Sequence, residues 1–207
     1  MRKIAIFYLS ICLITSCKKD IGDSISKQEI HYLDYVIAGD TVQSRVLYSM
    51  INPIFLLPDS FGAKKMFDFN KDSINDFMFG VDGEGIDIPD CPCDSGVICD
   101  CFPNPHIEKF IQTFDSIEIA VIKGYDNVKR FKLGVTINKS LTWKKLKYTG
   151  LLIYRSPYGN YGEWVDTTEG YSAFRIKSLT DTTYGWLRMD LKVGIRLIDY
   201  GTNRIKK

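Results

Sequence analysis

Apolar and polar residues alternate with period two along most of the chain from about Ile30 onward, far more often than with period three or four. Ile117, Ile119 and Val121 alternate with Ser116, Glu118 and Ala120, and Tyr171, Ala173 and Arg175 alternate with Ser172, Phe174 and Ile176. Further on, Leu187, Met189 and Leu191 share a face opposite Trp186, Arg188 and Asp190. Successive side chains of a strand point to opposite faces, so this alternation predicts half-buried antiparallel strands. Glycine and asparagine punctuate the runs at residues 124–127, 138–140 and 159–160, where turns need a permissive backbone. No amphipathic pattern longer than two helical turns competes with it, and neither a repeat nor a Pro/Ser-rich linker divides the chain. The prediction is an all-β fold, a single antiparallel β-sandwich or jelly roll over residues 30–207.

Composition sets the bounds of that reading. The chain has 207 residues, of which 45% are hydrophobic and 25% charged, enough for one sizeable core or at most two small ones. Disorder, collagen-like repetition and a polytopic membrane protein do not fit such a composition. A formal charge of +2 gives no electrostatic argument for nucleic acid as a partner.

The first residues read as an address. Arg2 and Lys3 precede an apolar run over residues 4–14 interrupted only by Ser10, too short to cross a bilayer as a stable helix. Residues 14–17, Ile-Thr-Ser-Cys, resemble the bacterial lipobox, in which a small residue precedes a cysteine that becomes the acylated new N-terminus. That resemblance makes residues 1–16 a lipoprotein signal peptide, Cys17 the lipidation site and residues 17–29 a lipidated tether. Several acyl chains on one cysteine anchor durably, since each buried methylene contributes about 0.8 kcal/mol. Loss of residues 1–16 takes away two basic residues and no acidic one, leaving 25 basic against 25 acidic. The expected location is the outer membrane, held through the lipid, with its periplasmic and external faces both open.

The most specific chemistry lies in residues 68–76, Asp-Phe-Asn-Lys-Asp-Ser-Ile-Asn-Asp. Oxygen side chains fall at positions 1, 3, 5 and 9, the spacing by which a tightly curled loop converges ligands on one hard cation. Asp68, Asn70, Asp72 and Asp76 would give side-chain oxygens and Ile74 its backbone carbonyl. Three carboxylates and only oxygen donors favour Ca2+ over zinc, in a structural role. Position 12 is Phe79, so the bidentate Glu of an EF-hand is missing, and position 6 is Ser73 where glycine is usual. The apolar flanks at 66–67 and 77–79 make the loop resemble the Asp-x-Asn-x-Asp-x-x-x-Asp calcium loops of integrin-type propeller repeats and secreted β-sandwiches, where it joins two strands. A plain polar turn rich in Asp and Asn is the alternative.

Of six cysteines, Cys12 leaves with the signal and Cys17 takes lipid. Cys91, Cys93, Cys99 and Cys101 remain, and an even number of close cysteines in an oxidising envelope points to disulfides. Among three possible pairings, Cys91 with Cys101 and Cys93 with Cys99 suit a hairpin turning through residues 94–98, which would staple a long loop within the one domain. A four-thiolate zinc or iron–sulfur site, which His106 could join, is the rival, although both Cys-x-Cys spacings are tighter than usual.

Three segments near the C-terminus extend the comparison. Residues 171–176 (Tyr-Ser-Ala-Phe-Arg-Ile), 183–189 (Thr-Tyr-Gly-Trp-Leu-Arg-Met) and 195–200 (Ile-Arg-Leu-Ile-Asp-Tyr) resemble the end of a broad group of secreted bacterial β-sandwich proteins, many of which carry PEP-CTERM sorting tails. Members of that group often have an Asp-x-Asn-x-Asp-x-x-x-Asp-Phe loop upstream, as at Asp68 to Phe77. The likeness implies the fold and a structural metal, and carries no activity. This chain departs from it in the cysteine loop, in a lipid anchor replacing the sorting tail, and in Gly201 where alanine is more typical. Gly185, beside Trp186, fits a strand on which glycine lets a large ring lie flat against the backbone.

Functional chemistry beyond the metal is sparse. His31 and His106 are the two histidines, and no Gly-x-Ser-x-Gly, His-Glu-x-x-His or phosphate-loop motif occurs. Glu84, Asp87 and Asp90 crowd one loop and leave a carboxylate-dependent glycan hydrolase as the least favoured alternative. Residues 154–164 interleave three Tyr and a Trp with Gly, Asn and Arg, a composition suited to stacking on sugars or gripping a protein surface. Tyr158, Tyr161 and Trp164 are the candidate ligand-binding rings, against the alternative that they fold back onto the sheet. The expected function is therefore a lipid-anchored, calcium-stabilised β-sandwich that binds a glycan or a cell-surface protein without catalysis. A structural envelope component without a soluble ligand is the second reading.

Overall fold

Alternating β-branched, aromatic and polar residues build extended strands across the whole body of the chain. The computed structural model describes residues 33–83, 106–147, 150–156, 159–165 and 169–204. Among these no residue is helical, and the strands in chain order are β1 (Val36–Ile37), β2 (Val46–Leu57), β3 (Ala63–Phe67), β4 (Phe77–Asp82), β5 (Ile107–Thr113), β6 (Ile117–Ala120) and β7 (Arg130–Phe131). They continue with β8 (Thr136–Ile137), β9 (Trp143–Lys144), β10 (Gly150–Ser156), β11 (Gly159–Tyr161), β12 (Glu169–Lys177), β13 (Thr182–Asp190) and β14 (Ile195–Asn203).

The long C-terminal strands β12, β13 and β14 form consecutive antiparallel pairs at the centre of a seven-stranded sheet, ordered β2-β14-β13-β12-β6-β9 with β7 also on β12. A five-stranded sheet runs β11-β10-β5-β4-β3, and β1 pairs with β8 in a small third sheet. Two sheets stacked by their apolar faces make the sandwich. Phe55, Ile119, Phe174, Leu187 and Leu197 from the larger sheet pack with Phe77, Phe79, Ile111 and Ile153 from the smaller in one buried cluster. Ile117, Ile119 and Val121 belong to it together, as do Leu187, Met189 and Leu191, so the alternation read from the sequence places these faces correctly.

The faces read as opposite are not simply wet. Ala120, Ala173, Tyr184 and Trp186 point away from the main core, yet they are buried in a second cluster under Val36, Ala38 and Ile137 of the small third sheet and its approach. The central strands of the large sheet are thus covered on both sides. Across this face Trp186 lies on Gly201 of the neighbouring strand: a Cβ there would stand 2.8 Å from the indole ring. Gly185 in turn accommodates Phe174 on the main-core side, where a Cβ would meet the ring at 2.3 Å. Glycine at 201 is therefore required by the ring it carries.

Period two fails at one place in β14. Strict alternation from Ile195 and Leu197 would turn Asp199 into the main core, but the register shifts between Leu197 and Asp199. Asp199 faces the second side instead, where its carboxylate accepts a hydrogen bond from Tyr48 Oη at 3.1 Å, and Tyr200 turns in against the main core. Gly159 and Asn160, expected in a turn, instead pair with Ser156 and Arg155 as part of β11. Residues 84–105, which hold the four cysteines and Glu84, Asp87 and Asp90, lie outside the described residues. The strands they connect are paired neighbours, with Asp82 opposite Glu108.

Candidate functional site: an acidic hairpin loop and a stripe of rings

The acidic segment connects β3 to β4, which pair antiparallel with Phe67 opposite Phe77. It is a nine-residue hairpin loop that joins the edge strand β3 to the buried strand β4. Short polar side chains curl it by taking up backbone N–H groups that no ladder satisfies. Asp68 Oδ1 accepts from Lys71 N at 2.6 Å and Oδ2 from Ser73 N at 2.8 Å. Asn70 Oδ1 accepts from Asp72 N at 3.0 Å, and Asp72 Oδ1 from Ile74 N at 2.8 Å. Lys71 and Ser73 adopt left-handed φ values of 61° and 71°, so the backbone winds tightly at positions 4 and 6 although neither is glycine.

Asp76 closes the base of the loop. It is 8% exposed, and its Oδ2 accepts the Phe69 N–H at 2.9 Å. Burial, joined by the charges of Asp68 and Asp72, pushes its carboxyl up to about 6 against the opposing hydrogen bond from Phe69. Three acids therefore feel one another across the loop. Among the described residues no three His, Cys, Asp or Glu side chains stand close enough together to hold a metal ion. The donor set still suits a hard cation, because every side chain offered is oxygen and a carboxylate oxygen that accepts one N–H keeps a second lone pair. Asp68, Asn70, Asp72 and Asp76, with the Ile74 carbonyl, are the residues that would hold it.

Phe69 ties the loop to the core. Its ring, 6% exposed, lies 5.3 Å from that of Phe174 and 5.7 Å from that of Tyr200, and its carbonyl accepts the Tyr200 hydroxyl at 2.5 Å. The apolar residue between the candidate ligand positions 68 and 70 is thus a plug at the end of the sandwich, and a period-two reading of the loop contains no signal for it.

The aromatic stretch divides. Trp164 is completely buried in the main core and donates its indole N–H to the Val128 carbonyl at 3.3 Å. Its assignment as a ligand-binding ring is corrected accordingly: a ring packed on every side cannot stack on a partner. Tyr161 is 57% exposed and sits directly across from Tyr154, with ring centroids 6.0 Å apart. His106, beside β5, extends the row, 5.4 Å from Tyr154. The outward positions of β11 and β10 and the residue that precedes β5 thus carry a stripe Tyr161–Tyr154–His106, flanked by Glu108, the cross-strand partner of Tyr154. Burial pushes the Glu108 carboxyl up, with Asp82 adding to the effect and His106 opposing it. Tyr158, like Cys17 and the four cysteines of the long loop, lies outside the described residues.

Comparison of the chain with protein-family models, with curated proteins and with solved structures returned no match.

Proposed function

We propose that this protein is a lipid-anchored binding module of the outer membrane, a β-sandwich stiffened by Ca2+ in its acidic loop, that grips a glycan or a cell-surface protein and performs no catalysis. The observation that carries the binding reading is the stripe Tyr161–Tyr154–His106. Cross-strand ring pairs on a sheet are held by the ladder beneath them, so they meet a planar partner with little entropy left to lose. Glu108 beside them adds a hydrogen-bond acceptor of the kind that orients sugar hydroxyls. The lipobox-like residues ending at Cys17 support the anchor, and the oxygen-only donor set of residues 68–76 supports the ion.

The test is retention of the full chain on an array of envelope glycans and on intact cells. Tyr161→Ala and Tyr154→Ala are each expected to lower retention about five- to thirtyfold, since a ring contact contributes roughly 1–2 kcal/mol, while the melting temperature moves by only a few degrees. Trp164→Ala should behave oppositely, losing about 3–5 kcal/mol of stability as a core truncation. Unchanged retention in both tyrosine variants would remove this surface as the binding site.

A further inference from the structure

A second concave feature lies away from that stripe, where β2 and β3, the edge strands of the two sheets, meet the acidic loop. Its volume is about 230 Å³. It has a local cause in β2. Pairing passes from Phe55 opposite Leu197 to Met50 opposite Asp199, so residues 51–54 of β2 stand where β14 supplies only Ile198. Such a bulge bends its strand and commonly re-aims side chains beside a site. Pro53 occupies it without breaking a ladder, because this is an edge.

The rings of Phe55, Phe67, Phe69 and Tyr200 line the space, with Phe55–Phe67 centroids 5.6 Å apart and Phe67–Tyr200 centroids 6.2 Å apart, both edge-to-face. Two lysines line it. Lys65 Nζ lies 4.6 Å from the Phe55 ring centroid and donates to the Leu56 carbonyl at 3.4 Å, and Lys71 lines the space from the loop. Asp68 borders it too, with both carboxylate oxygens accepting backbone N–H groups, so the rim carries two lysines against one aspartate. The exposed side chains of Met50 and Ile54 form the mouth.

We propose that this cavity binds a small aryl or short-chain carboxylate, its apolar body among the four rings and its carboxylate paired with Lys65 and Lys71. Size sets the body: a cavity of about 150 Å³ holds benzene, so this one takes an aromatic ring with a short substituent. Charge sets the head group. Two lysines outnumber the single aspartate at the rim, so an anionic head group is favoured over a cationic one. The site is separate from the ring stripe and stands whether or not that stripe binds a glycan.

The experiment titrates the full chain, held in lipid nanodiscs, with 3-phenylpropionate and with its uncharged amide, following methionine methyl NMR signals. The acid is expected to bind saturably and to shift the Met50 methyl at the mouth, and the amide to bind at least about fivefold more weakly. Lys65→Met combined with Lys71→Met should bring the acid down to the amide's affinity. Ile54→Glu, at a side chain 68% exposed and so without consequence for folding, should weaken the acid further and leave the amide unchanged. Equal affinity for acid and amide, absence of saturable binding, or saturation with the Met50 methyl unmoved would each overturn the proposal.

Discussion

Lys109 shows how far a single residue can depart from its surroundings in sequence. It lies on the core-facing side of β5, is 0% exposed, and spends its ammonium on Asp59 and on the carbonyls of Leu191 and Gly194, at 2.8 and 3.1 Å for the carbonyls. It thereby ties the β2–β3 connection to the β13–β14 turn. A buried cation survives only when every donor is used, and here all three are. Lys109→Met keeps the apolar stem but strands two buried carbonyls, so we expect a loss of about 2–4 kcal/mol, read as a lower denaturation midpoint at unchanged m-value. Glu118 gives the opposite kind of charge effect. Burial raises its carboxyl, but hydrogen bonds from Lys177 and from Arg175, whose Nε donates at 2.6 Å, outweigh it and hold the group below the ordinary glutamate value. A carboxyl bound more weakly by protons in the folded state adds stability above its unfolded pKa and loses it as pH falls through the folded one. Glu118→Gln should therefore be less stable than the parent at pH 7, and the two stability curves should converge as the pH falls below the ordinary glutamate range in denaturant titrations.

The acidic hairpin is where an element joins chemistry to the fold. Its ends are held by the Phe67–Phe77 pair, its base by the Asp76 carboxylate on the Phe69 N–H, and its middle by Phe69 packed on Phe174. Asp68, Asp72 and Asp76 nevertheless bring three negative charges to nine residues, with Lys71 the lone basic residue among them. An extracellular-type affinity of about 10⁻⁴ M would let millimolar Ca2+ stabilise the fold by about 1–2 kcal/mol, hence roughly 3–6 °C for a chain of this size. A thermal melt in calcium against chelator should show that rise, and Asp72→Ala should abolish it; equal melting temperatures with and without the ion would reduce the loop to a polar turn.

For the whole molecule the large sheet decides cooperativity. Trp164 sits in the main cluster and Trp186 in the second, and strands β12, β13 and β14 supply residues to one or both. Because neither cluster can lose its half of that sheet alone, tryptophan fluorescence and far-UV circular dichroism should report one coincident transition. Ile137→Ala, at a fully buried residue of the small sheet, should shift both signals together by about 2–4 kcal/mol. Two separated transitions would show that the second cluster is an independent lid. The strands, their faces and the hairpin position of residues 68–76 were legible in sequence, because period two and paired polar spacings are local properties that neighbouring residues express without reference to the rest of the chain. Burial of Trp164, the inward Lys109, the second cover over Trp186 and the ring-lined cavity were not. Each depends on what distant strands bring opposite a residue: Val128 for Trp164, Asp59 and two carbonyls for Lys109, Gly201 and the small sheet for Trp186, and a shifted register between β2 and β14 for the cavity. Alternation tells a side chain which face it takes, and only the packed structure decides whether that face meets water, a ring or another sheet.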